Sequence, residues 1–153
     1  MSKTTALPPI PADGDELPKA LLPKGWPRPS GYANGMTAKG RLVVTGGVVG
    51  WDVMGNLPKD FAGQARQLFS NILQILAEGG AGPEHIVRLT WYVVDLGEYR
   101  SNLKELGRAY REIFGANYPA MAVVGVTGLV EPAARLEIEA TAVVRTEIPA
   151  ASW

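Results

Sequence analysis

Residues 85–95 read HIVRLTWYVVD, a run dense in branched and aromatic residues that predicts a β-strand. At a period of two, Ile86, Tyr92 and Val94 point one way, and Val87, Leu89, Trp91 and Val93 point the other. A strand that is apolar on both faces needs cover on both sides. The run MAVVGVT, from Met121, is apolar on both faces as well. The last predicted strand, ARLEIEATAVV, alternates instead. Leu136, Ile138, Ala140 and Ala142 share one face, and Arg135, Glu137, Glu139 and Thr141 the other.

Two amphipathic helices are available as cover. FAGQARQLFSNILQILAEGG sets Phe61, Ala65, Leu68, Phe69, Ile72, Ile75 and Leu76 on one helical face, and Gly79-Gly80 ends it. EYRSNLKELGRAYREIFG does the same with Tyr99, Leu103, Leu106, Tyr110, Ile113 and Phe114. Upstream, YANGMTAKGRLVVTGGVV predicts a β-hairpin with Lys39-Gly40 at its turn. The predicted order is β-β-α-β-α-β-β, an α+β layer with one mixed sheet and two helices on one face. Two helices cover one side of a sheet. The other side is therefore expected to meet further copies of the chain.

A chain of 153 residues fits one domain. Prolines crowd residues 1–30, from Pro8 to Pro29, which rules out a helix or an inner strand there. The expectation is an extended arm over 1–30, ordered where Leu21, Leu22 and Trp26 find a surface, then a domain over 31–146 and a tail over 147–153. The N-terminal stretch has no continuous apolar core of the secretory kind, and no apolar run suggests a membrane span. A cytoplasmic protein is expected.

Charge and composition exclude several chemistries. With 15 basic and 15 acidic residues, the chain has no electrostatic footprint for nucleic acid or an anionic membrane. Cysteine is absent and His85 is the only histidine, so neither a thiol nucleophile nor a metal site is expected. No phosphate-binding glycine loop and no H-E-x-x-H motif occurs. Glu137 and Glu139 remain. A carboxylate on a strand facing a subunit interface is partly desolvated, and its raised pKa suits it to exchange protons with water. Equally, each could pair with Arg135 or Arg88 as ordinary interface polarity.

GYANGM, RLVVTGG, HIVRLTWYVVDLGEY, YPAMAVVGV and RLEIEATAVV follow one another in the order and spacing of the RidA/YjgF family. The chain resembles that family from about Gly31 to Val144. Its members are reactive-intermediate (enamine/imine) deaminases, once called endoribonuclease L-PSP or translation initiation inhibitors. The resemblance implies a chorismate-mutase-like subunit, a homotrimer with a cleft at each interface, no cofactor, and hydrolysis of 2-imino acids to 2-oxo acids and ammonia. Carried over by position, the family's tyrosine falls on Tyr32. Its Ser-Gly falls on Thr45-Gly46, and its water-handling glutamate on Glu137. The arginine that grips the substrate carboxylate in active members is Met121 here, and a common cysteine is Val123.

Loss of that arginine matters, because a charge-assisted hydrogen bond contributes about 1.5–3 kcal/mol. Simple 2-imino acids are expected to be poor ligands. Arg135, Lys24 or Arg28 are the candidate replacement cations, and Trp51 is a candidate stacking surface for a flatter ligand. The expected function is hydrolytic deamination of a small or aromatic-derived imine or enamine other than simple 2-imino acids. A non-catalytic trimer that binds a small ligand is the alternative. An RNA-cleaving role conflicts with the neutral charge.

Overall fold

A computed structural model describes residues 17–146. The first part of the expected arm, residues 1–16, and the tail, residues 147–153, lie outside the described residues. The elements in chain order are β1 (Lys19–Ala20), β2 (Met36–Thr37), β3 (Arg41–Val44), α1 (Phe61–Glu78), β4 (Ile86–Val93), α2 (Leu96–Ser101), α3 (Leu103–Phe114), β5 (Ala120–Gly125) and β6 (Leu136–Val144).

Helix α1 starts where the Asp60 carboxylate accepts a hydrogen bond from the Gly63 N–H at 2.9 Å, an N-cap that satisfies one free donor. Gly80, at φ +77°, lets the chain leave the helix. The buried face carries Phe61, Ala65, Leu68, Phe69, Ile72 and Leu76, as the sequence predicts, but Gln64 joins it. Ile75 does not: one step of about 100° away from Leu76 leaves it 43% exposed at the edge of the stripe.

The second predicted helix is two. Asn102 separates α2 from α3, its side-chain amide donating to the Glu98 carbonyl at 2.8 Å. The break rotates Leu103 out of the expected stripe, and it is 52% exposed. Leu106, Ala109, Tyr110 and Phe114 are the buried residues of α3.

The four-stranded sheet has the order β3-β6-β4-β5. Strands β4 and β5 are parallel, and the other pairs are antiparallel, so the sheet is mixed. Helices α1 and α3 pack on one face. There Leu89, Trp91, Val93, Leu136, Ile138, Ala140 and Ala142 form one core with Leu68, Phe69, Ile72 and Leu76. Each leucine, isoleucine, valine and phenylalanine among them contributes roughly 1.5–3 kcal/mol by leaving water.

The expected hairpin does not form. β2 pairs with β1 in a separate ribbon, Ala20 opposite Met36, while β3 pairs with β6. Gly40 explains the change of direction. At φ +147° it passes so close to β6 that a Cβ there would stand 2.1 Å from the Val144 carbonyl oxygen. The chain therefore joins β6 instead of turning back on β2. Part of the proline-rich arm is thus an outer two-residue strand. Leu21 and Leu22 are both 47% exposed and Trp26 is 58% exposed, so this chain alone gives the arm no enclosing surface.

A bulge between Ile86 and Arg88 corrects the predicted faces of β4. It turns Ile86 into the core with Leu89, Trp91 and Val93, leaving Val87, Thr90 and Tyr92 on the helix-free side. That side is lined further by Leu42 and Val44, 64% and 57% exposed, and by Val124 at 41%. Only near β5 does the β1–β2 ribbon approach it, with Leu21 and Met36 beside Val87, Arg88, Ala120 and Thr141. Among the described residues no helix is long and apolar enough to cross a membrane.

Candidate functional site

Strand β5 begins just after Pro119, whose carbonyl accepts from the Ala33 N–H at 2.9 Å. That bond ties the loop carrying Tyr32 to the start of β5. Parallel pairing sets Met121 opposite Leu89 and Val123 opposite Trp91, so both face the helices. Tyr32, Met121 and Val123 consequently line one open cavity of about 590 Å³ between β5 and α3, together with Trp91, Tyr99 and Arg111. Ligand cavities commonly fall in the range of about 300–1,000 Å³.

The cavity wall is mostly aromatic. Tyr118 stacks on Tyr110, with ring centres 5.2 Å apart and planes 12° from parallel. Trp91 stands edge-on to Tyr99 at 5.8 Å. The Tyr110 hydroxyl donates to the Asn117 carbonyl, and burial pushes both the Tyr110 and the Tyr99 phenols up from their ordinary pKa. Trp91 is 4% exposed, and its Nε1–H is buried without an acceptor among the described residues. An unmet buried donor costs about 1–3 kcal/mol.

Glu137 belongs to a different surface. It pairs across the ladder with Tyr92 on the helix-free face, three residues from the core residue Ala140. The preceding loop shapes its surroundings. The Thr45 hydroxyl accepts from the Ala140 N–H at 3.0 Å and donates to the Gly46 carbonyl at 2.7 Å, so it completes the ladder. Val48 then resumes pairing with Ile138. Between them Gly46-Gly47 steps aside, directly against Glu137. A Cβ on Gly47 would lie 1.8 Å from Glu137 Oε1, whereas one on Gly46 would meet nothing within 4 Å. Among the described residues the half-buried Glu137 carboxylate makes no side-chain hydrogen bond or ion pair. Glu139 differs: it accepts from the Tyr92 hydroxyl at 2.7 Å, which raises the Tyr92 pKa.

The remaining sequence candidates lie apart from both places. Arg135 forms an ion pair with Glu98 and donates to the Lys59 carbonyl at 3.2 Å, lining a separate groove. Trp51 is 47% exposed on the loop before α1, its carbonyl held by Asn71 at 2.7 Å. Lys24 and Arg28 are exposed on the arm and do not line the cavity. His85 Nδ1 accepts from the Gly82 N–H at 2.9 Å, a turn-closing role. Among the described residues no cluster of three or more acidic, histidine or cysteine side chains is placed to hold a metal.

Arg111, Trp91 and Tyr99 were not among the sequence candidates. A signal existed, because Tyr99, Leu103, Leu106 and Tyr110 trace one helical stripe, and Arg111 follows Tyr110 on its edge. Which strand that stripe faces was not legible without the tertiary pairing.

Comparison with known proteins gives a consistent picture. The endoribonuclease L-PSP family model matches residues 27–144. The chain is 35% identical over 105 residues to a RutC family protein of Haemophilus influenzae, covering 68% of this chain and 80% of that one. It is 29% identical over 145 residues to the 2-iminobutanoate/2-iminopropanoate deaminase of Escherichia coli K12, covering 95% and 100%. The solved structure of the Rid family protein YyfB from Yersinia pestis, a protein of unknown function, superposes with a TM-score of 0.74 at 29% identity, covering 84% of this chain and 100% of that one.

Proposed function

Because the chain belongs to the endoribonuclease L-PSP family, the RidA/YjgF proteins, we propose that it hydrolyses an imine or enamine in a cleft built by two subunits. The observation that carries this reading is the placement of Glu137, a carboxylate with no side-chain partner among the described residues, on the helix-free sheet face, away from the cavity of Tyr32 and Met121. One chain holds the two halves of a site on opposite faces. A neighbouring copy that seats its cavity on this sheet face joins them.

Such a contact is heterologous, since the two patches lie on opposite faces of one sheet and a two-fold axis cannot pair both at once. Two copies cannot close it symmetrically, and three form the smallest ring. That supports a homotrimer. Its ring hides Leu42, Val44 and Val124, the apolar residues left exposed on the sheet.

In the cleft Glu137 orients a water molecule and takes a proton from it as its oxygen attacks the C=N carbon. The resulting carbinolamine gains a proton on nitrogen, its C–N bond breaks, and ammonia leaves with the C=O formed. Imine plus water thus gives carbonyl compound plus ammonia, with no redox partner. Tyr32 offers a hydroxyl to the substrate, and the Gly46-Gly47 step admits it close to the backbone. Met121 and Val123 make that wall apolar, which disfavours the smallest 2-imino acids and favours a larger, flatter body. Met121 also supports a second reading, a trimer that binds such a ligand without turning it over.

Ammonia release from 2-iminopropionate and from larger aromatic-derived enamines separates the two readings. Turnover of the larger substrates, lowered about 100-fold or more in Glu137→Gln, is the expected result. Unchanged turnover in that variant overturns the mechanism, and specific binding with no turnover selects the second reading.

A further inference from the structure

Arg111, an exposed residue of α3, lines the cavity, and among the described residues it is the one charged side chain that does. Its neighbours on α3 and α1 are engaged: Arg108 pairs with Glu105 at 3.5 Å, and Arg66 pairs with Glu112 at 2.5 Å. Arg111 itself makes no ion pair among the described residues. A guanidinium without an ion-pair partner beside aromatic rings matches a ligand with an anionic end and a planar body.

The local sequence keeps the guanidinium there. Gly107 lies one helical turn before Arg111, and a Cβ at position 107 would stand 3.2 Å from Arg111 Nη1. The bare glycine lets the guanidinium lie back along α3 at the cavity rim. A Cβ there requires the guanidinium to give by a few tenths of an ångström.

We propose that Arg111 binds the carboxylate of a flat, conjugated ligand in this cavity, replacing from α3 the cation that Met121 does not supply from β5. This rests on the reading of the cavity as the substrate half of the site. It specifies the ligand class as a carboxylate attached to an aromatic or extended unsaturated body. The short 2-imino acids are left out because they have no ring or extended unsaturated chain to cover the rings of Tyr32, Tyr99 and Tyr118.

Calorimetric titration of the full chain with cinnamate, and with the uncharged cinnamamide, tests this without requiring turnover. The expected preference for cinnamate is about tenfold or more, the effect of one charge-assisted contact. Arg111→Gln abolishes it, Arg111→Lys restores part of it, and added salt lowers it. Gly107→Ala weakens the preference while melting no lower than the parent, because alanine favours the helix. Equal binding of the two probes, binding of neither, or a preference that survives Arg111→Gln overturns the proposal. The outcomes separate the two ideas. Arg111-dependent cinnamate binding without ammonia release from any imine refutes the proposed reaction alone. Glu137-dependent turnover with an Arg111-independent preference refutes this inference alone.

Discussion

Met121 and Glu137 lie on opposite faces of one sheet: Met121 pairs with Leu89 on the helix side, and Glu137 with Tyr92 on the bare side. A subunit cannot bring the two to one ligand. Two inactive variants should therefore repair each other when their subunits mix. Glu137→Gln keeps an intact cavity, and a cavity variant such as Tyr32→Ala keeps an intact acid. If copies close into the proposed ring, random mixing in equal amounts gives about a quarter of the clefts both a good cavity and a good acid. Unfolding the two together, refolding them and measuring ammonia release should recover about that share of parental activity. No recovery in mixed rings shows that each site lies within one subunit.

Gly47 and Gly46 are chemically identical neighbours with different expected sensitivities. A methyl group on Gly47 falls 1.8 Å from Glu137 Oε1 and must drive the carboxylate away, whereas Gly46 faces open space. A displacement of about 1 Å at a reacting group costs on the order of 100-fold in rate. Gly47→Ala should thus lose about that much in kcat, whereas Gly46→Ala, whose methyl group narrows only the approach of the substrate to the backbone, should raise KM and keep kcat within a few-fold of the parent. Steady-state ammonia release on both variants checks the contrast. Equal losses assign the glycines to backbone conformation instead of to the placement of Glu137.

The sheet faces explain which features the sequence made legible. β6 alternates cleanly from Leu136 to Ala142, so its core residues and the outward Glu137 follow from periodicity alone. β4 is apolar on both sides, so nothing in its composition marks the bulge that turns Ile86 inward. The hairpin failed for a related reason. Lys39-Gly40 has turn chemistry, but the choice between β2 and β6 as partner for β3 depends on a close approach to Val144, 104 residues further along the chain. The site divides likewise. Met121, Val123 and Glu137 are placed by strand register, and Tyr32 by the bridge from its neighbour Ala33 to Ala120. Arg111 depends on how α3 lies across β5, and local sequence does not encode that.

Gln64 is the buried polar residue on which two loops depend. Its amide donates to the Pro58 carbonyl at 2.8 Å and the Ala133 carbonyl at 3.0 Å, and its Oε1 accepts from the Arg135 N–H at 2.8 Å. Replacing it with leucine keeps the volume close but leaves backbone groups of both loops without partners. The expected loss is roughly 2–4 kcal/mol, since each unmet buried group costs about 1–3 kcal/mol and relaxation recovers part. Urea unfolding of Gln64→Leu measures it. A loss under about 1 kcal/mol means that water reaches these loops and replaces the amide.

Tyr110 gives the fold an alkaline limit. Burial raises its pKa from the ordinary 10.0, with the neighbouring Tyr118 adding to the shift, while its hydroxyl donates to Asn117. Below the ordinary value the phenol is protonated in both the folded and the unfolded chain, so its full contribution to stability is present. Above it the unfolded chain releases the proton and the folded chain does not. Stability then falls by up to about 1.4 kcal/mol per pH unit for this group, until the folded pKa is passed. Tyr99, whose pKa burial also raises, adds to the same slope, so the decline should not vanish in a single variant. Tyr110→Phe should lose about 0.5–1.5 kcal/mol at neutral pH with its hydrogen bond, and then decline less steeply than the parent above pH 10. Unfolding free energies across the alkaline range test both parts. Parallel decline in the two proteins means that Tyr110 reaches solvent and its ring lies outside the core.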